Sequence, residues 1–173
     1  MKITKYLALF LLAVGLCGFV PQAEAAPASS MTRNFIRNAT ISNGFEIMSS
    51  RMALQRSQNP EVRNYAQQMI EDHRQADEDL RNTVMSSRYR MRGMANDLDQ
   101  RHRSMLKRLE RASVQDFDWN YVRMQTQAHD EAVQLFRSYA NHGGNPTLRD
   151  FAERMLPTLE EHQHHVRQIR FYR

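Results

Sequence analysis

Apolar residues at helical spacing run through most of the chain. Over residues 145–169, Leu148, Ala152, Met155, Leu159, His162, Val166 and Ile169 follow one another at alternating steps of four and three. That spacing puts them on one face of a helix, the face that packs on partner helices. Asn145-Pro146 predicts where this helix starts, because Asn caps and Pro suits the first helical position. Pro157 lies inside it and predicts a kink, since it removes a backbone hydrogen bond. The same stepping recurs in Val62, Ala66, Met69, His73, Ala76, Leu80 and Thr83, behind a second capped start at Asn59-Pro60. A broad apolar face predicts a third long helix from residue 114 or 116 to 141, with Phe117, Tyr121, Val122, Met124, Ala128, Ala132, Leu135, Phe136 and Tyr139 on it. Gly143-Gly144 would stop it.

A first helix is expected over residues 32–57. Ile41, Phe45, Met48 and Met52 form an apolar lane beside one of mostly small residues, Phe35, Ala39, Ser42, Glu46, Ser49 and Ala53. Glu46 is the only acid of this helix and lies on or beside its buried face. No alternating strand pattern competes with the helical one. The two helix pairs have short turns at residues 58–59 and 142–145. A longer connection joins the pairs and carries a short helix over residues 97–111, with Leu98, Met105, Leu106 and Leu109 inward. The expected fold is therefore all-α, a ferritin-like four-helix bundle with one long crossover, over residues 32–173.

The first residues change the picture of where the protein works. Lys2 and Lys5 precede an apolar run from Tyr6 to Val20, and Ala23-Glu24-Ala25 is a small-x-small cleavage pattern. The run is shorter than the roughly 20 residues of a spanning helix. Residues 1–25 read as a cleaved signal peptide, residues 26–31 as a flexible N-terminus, and the location as periplasmic. Cys17 is the only cysteine and would leave with the signal peptide, so no disulfide or thiol chemistry remains. The full chain carries a net charge of +5. Residues 88–111 hold eight basic residues against the acids Asp97, Asp99 and Glu110, so the excess is concentrated in the crossover. An Arg-rich connection of this kind is ordinarily solvated surface. Its functional counterpart is contact with anionic lipid or an acidic partner, and an exported protein seldom meets nucleic acid.

The candidate chemistry lies on the helix seams. His73, His129 and His162 occupy positions where Leu would be expected. Glu46 stands thirteen residues before Asn59 and His73 fourteen after it, while His129 stands fifteen before Gly144 and His162 eighteen after it. At about 1.5 Å of rise per residue, each antiparallel pair comes level within roughly one turn. One carboxylate and three imidazoles would then meet in the bundle core, a donor set suited to Zn, Cu or Fe. Asp72 is placed to support the site from beside His73. The competing reading is a metal-free network in which Glu46 pairs with a protonated histidine and ties helices together. The Glu-x-x-His motif of di-iron bundles is absent, because Ile70, Thr126 and Leu159 stand three before the histidines. Nor is there a nucleophile elbow, a phosphate-binding Gly loop, a zincin motif or a cysteine pair, so no catalytic residue is assigned.

Several pieces in fixed order carry a family resemblance. They are Phe35, Ala39 and Glu46; Ala66-Gln67-Gln68-Met69-Ile70-Glu71-Asp72-His73; Phe117-Asp118 with Tyr121; His129; and Phe151-Ala152, Leu156-Pro157, Leu159 and His162. In this the chain resembles a bacterial family of exported domains of unknown function with a ferritin-like fold, often labelled outer-membrane or membrane proteins. The resemblance implies an exported helical bundle and points to Glu46, Asp72, His73, His129 and His162. It implies no established activity or cofactor. The expectation is a periplasmic bundle holding one transition metal ion. The alternative is a metal-free envelope protein that works through its Arg-rich crossover.

Overall fold

The structure, a computed structural model, describes residues 29–87 and 98–171. The expected signal peptide and Cys17 lie outside the described residues, as do residues 26–28 of the expected flexible N-terminus and residues 88–97 of the basic crossover, whereas Ser30 and Met31 are already helical. The described residues form five helices and no strand: α1 Ser30–Arg56, α2 Pro60–Ser86, α3 Gln100–Glu110, α4 Val114–His142 and α5 Pro146–Gln168. Each has a side-chain cap. Ser29, Asn59, Asp99, Ser113 and Asn145 each accept from a backbone N–H of the first turn, as orphan donors there require.

The four long helices form a bundle in which α1 packs on α2 and α4, and α5 packs on α4 and α2. Side-chain pairs fix their directions. Thr32 meets Tyr139 and Ser50 meets Tyr121, so α1 and α4 are antiparallel. Gln68 meets His165 and Asp72 meets His162, so α2 and α5 are antiparallel. All adjacent pairs are thus antiparallel and α2 runs with α4. The connection between them must therefore return along the bundle. Its α3 lies against α1 and α4, with Met105 and Leu109 buried and Leu106 partly so. Arg56 ties the end of the connection to α1 by donating to the Leu109, Glu110 and Ala112 carbonyls. Among the described residues, no helix is long and apolar enough to cross a membrane.

One local reading is corrected. Met48 is 47% exposed, although Ile41 and Phe45 of its lane are buried together with most of the small residues of the neighbouring lane. Small side chains let α1 approach its neighbours closely, whereas Met48 points away from them. Trp119 is exposed, and the Arg123 guanidinium lies 4.8 Å above its ring. Gly143 ends α4 where Gly143-Gly144 was expected to stop it, with φ −62°. A Cβ there would lie 2.5 Å from the Tyr139 carbonyl oxygen, so close approach is what calls for glycine.

The core divides into two apolar clusters. One end of the bundle holds Phe45, Tyr65, Met69, Leu109, Phe117, Tyr121 and Val166. The other holds Phe35, Leu80, Phe136, Tyr139, Leu148, Phe151 and Leu159. Along α2, α4 and α5, His73, His129 and His162 fall between the two.

Candidate metal centre

The layer between the clusters is built from all four long helices: Asn43, Glu46 and Ser49 of α1, His73 of α2, Gln125 and His129 of α4, and His162 of α5. All are buried. The structure brings His73, His129 and His162 together. Their ring centroids form a nearly equilateral triangle with sides of 5.7, 5.6 and 5.5 Å. One ring nitrogen of each lies within 4.8 Å of the others.

Each ring is oriented by its other nitrogen. His73 Nδ1 lies 2.9 Å from Asn43 Oδ1, His129 Nδ1 lies 3.0 Å from the Gln125 carbonyl, and His162 Nε2 lies 2.8 Å from Asp72 Oδ2. A carbonyl and a carboxylate only accept, so these nitrogens carry the protons. The lone pairs then sit on His73 Nε2, His129 Nε2 and His162 Nδ1, and none of these three atoms has a hydrogen-bond partner. Hydrogen-bonded outer partners that set tautomer and ring direction accompany histidine ligands in general.

Burial keeps the imidazoles neutral. It holds His73 well below the ordinary histidine range, with the other two rings adding to the effect. It lowers His129 to about 4, and it lowers His162, although the Asp72 carboxylate pulls His162 partly back. Glu46 sits outside the triangle, with Oε1 3.8 Å from His129 Nδ1. Burial raises its carboxyl to about 8, and the adjacent Gln125 amide offsets that only in part. Both shifts favour the uncharged Glu46–His129 pair over a salt bridge.

Among the described residues, seven buried side-chain polar atoms lack a hydrogen-bond partner, and six of them lie in this layer. They are both Glu46 oxygens, Gln125 Oε1 and the three histidine nitrogens. Left without any partner, such atoms would cost about 1–3 kcal/mol each. The three histidines could hold a metal ion.

Asn43 and Gln125 are the residues that sequence reasoning missed. The signals were there: Asn43 is three before Glu46, and Gln125 is four before His129 on the same lane. His165 meets Gln68 Oε1 at 3.1 Å and packs edge-on to Tyr65.

Comparison with known proteins adds fold and family. No curated protein matches the sequence. The structure is similar to the crystal structure of a DUF305 fragment from Deinococcus radiodurans. The TM-score is 0.69 at 14% sequence identity, covering 82% of this chain and 96% of that one, a likeness of fold alone. A family model described as a domain of unknown function, DUF4142, matches residues 19–169. With most of its length inside that match, the chain belongs to the DUF4142 family of domains of unknown function.

Proposed function

We propose that this protein is an exported, ferritin-like bundle of the periplasm that binds one transition metal ion, Zn, Cu or Fe, through His73, His129 and His162. The observation that carries the reading is three buried imidazoles that offer ligand atoms within 4.8 Å of one another, each ring keeping one nitrogen without a hydrogen-bond partner. Tetrahedral binding at about 2.0–2.1 Å separates ligand nitrogens by about 3.4 Å. Starting from nitrogens at most 4.8 Å apart, each ring would move by at most about 0.8 Å to reach that geometry. Imidazole donors favour these metals over Mg or Ca, which take oxygen. Asp72 holds His162 in the ligating tautomer, Asn43 does so for His73, and the Gln125 carbonyl for His129. Glu46, fully buried with Oε1 3.8 Å from His129 Nδ1, is placed to supply compensating negative charge to a cation.

The test is the metal content of untagged protein purified from the periplasm, measured by inductively coupled plasma mass spectrometry. About one metal per chain is expected. A His129→Ala/His162→Ala double variant that keeps its helical content should lose it. Native protein that stays empty after exposure to Zn, Cu and Fe would refute the reading.

A second reading has an observation of its own. Arg103, Lys107, Arg108 and Arg111 are all exposed on or just after α3. In this reading that surface contacts anionic lipid or an acidic partner. Binding to anionic vesicles should then weaken steeply with salt; no binding at low salt removes it.

A further inference from the structure

A pocket of about 860 Å³ opens at the end of the bundle where α1 turns into α2 and where α4 begins. Small-molecule sites ordinarily measure about 300–1,000 Å³. No residue of the histidine triad lines it. Trp119 and Phe171, exposed by 54% and 39%, stand in its wall with Pro60. The charged part of the wall is acidic. Glu61, Asp116 and Asp118 line it, and among the described residues no Lys, Arg or His does. The pocket therefore opposes the sign of the chain as a whole, which is +5.

Two of the acids have an ordinary explanation. Glu61 and Asp116 stand in the first turns of α2 and α4, where negative charge complements the helix dipole. Each also accepts a hydrogen bond, Glu61 from the Arg170 N–H and Asp116 from the Ser113 hydroxyl. Asp118 lies beyond the first turn. Its Oδ1 is buried without a hydrogen-bond partner, the one such atom among the described residues that lies outside the histidine layer. Its neighbour Trp119 already holds a cation, because the Arg123 guanidinium lies 4.8 Å from the centre of its ring in a cation–π contact.

We propose that this pocket binds an organic cation with an apolar body: an amine, a quaternary ammonium or a guanidinium compound. Its charge is set toward Asp118 and its body against Trp119 and Phe171. The proposal is independent of the metal reading. A buried, unpaired carboxylate oxygen selects for positive charge, since a cation relieves the cost of leaving it without a partner. Aromatic faces add to that preference through the ring quadrupole. The three carboxylates repel an anion.

Trp119 is the only tryptophan of the chain, so intrinsic tryptophan fluorescence reports on this pocket. The probe is benzyltrimethylammonium, beside neutral benzyl alcohol and anionic benzoate, and calorimetric titration gives the affinity. A saturable response to the cation is expected, with the other two binding at least about tenfold more weakly. Asp118→Asn should weaken binding of the cation about fivefold or more. Trp119→Leu, followed by calorimetry, should weaken it about fivefold. Helical content by circular dichroism should stay unchanged in both. Should Asp118→Asn fail to fold, Trp119→Leu carries the comparison from an exposed position. Equal affinity for benzyl alcohol would overturn the cation as the ligand class. Unchanged affinity in the folded variants would overturn this pocket as the location. No saturable response to benzyltrimethylammonium or to benzylamine would overturn the proposal and leave the metal reading standing.

Discussion

Glu46 and His129 are two ionisable side chains 3.8 Å apart, and their burial decides how the metal-free protein responds to pH. The Glu46 carboxyl is raised from 4.5 to about 8. Its contribution to stability is therefore full below its unfolded value and is lost as pH rises through about 8. The histidines behave oppositely. His129 is lowered from 6.5 to about 4, and His73 and His162 are lowered too. Their contribution is present above the unfolded value of 6.5 and is lost as pH falls through the folded values. Metal-free protein should be most stable near neutral pH and lose a few kcal/mol on either side, as read by urea unfolding with chelator present. Glu46→Gln should remove the alkaline loss and leave the acid one; an unchanged alkaline limb would show that Glu46 is not held neutral. Asp72→Asn keeps the size of the side chain but weakens the hold on His162. Metal affinity should fall about 10- to 100-fold with little change in helical content, and calorimetric titration measures it. His73, His129, His162 and Glu46 were legible from the sequence as polar residues on apolar seams. Which way each side chain turned was not. Asn43 and Glu46 are one turn apart on α1, yet Asn43 faces His73 on α2 and Glu46 faces His129 on α4. A rotation of about 60° between positions three apart separates their partners, and depth along the bundle does not reveal it.

The helices were the most readable level, because caps and seams are local signals. Asn59-Pro60 and Asn145-Pro146 begin α2 and α5, with Asn145 Oδ1 accepting from the Leu148 N–H at 2.9 Å. Asn145→Ala should cost about 1 kcal/mol of unfolding free energy, seen as a lower urea midpoint with unchanged slope. No measurable loss would mean that the cap is redundant with the buried turn around it. Helix α1 was the harder element. Its inner face is made of Ala, Ser, Thr and Asn as much as of large apolar residues, so hydrophobic periodicity alone favoured the lane containing exposed Met48. Its burial comes from closeness to α2 and α4 and from cross-helix pairs such as Ser50–Tyr121 at 2.8 Å. A single helix's pattern carries no trace of such partners.

For the whole molecule, helix count and turn lengths sufficed to predict the all-α bundle, and the antiparallel pairs bear that out. The division of the core into two apolar clusters with a polar layer between them was visible only in outline, because it depends on four helices meeting in register. That layer places the cost of six unpartnered polar atoms at mid-bundle, and a bound cation would offset it. A ligand that binds only the folded protein at 100 times its dissociation constant adds about 2.7 kcal/mol. The transition-metal-loaded bundle should therefore unfold several degrees above the chelator-treated one, and the double histidine variant should show no such difference. The central claim is the identity of the ligands, and X-ray absorption spectroscopy of the metal-loaded protein tests it most directly. The account predicts three imidazole nitrogens at about 2.0–2.1 Å, with the multiple scattering of their rings, plus one light-atom ligand. A shell of oxygen ligands without imidazole scattering would contradict it.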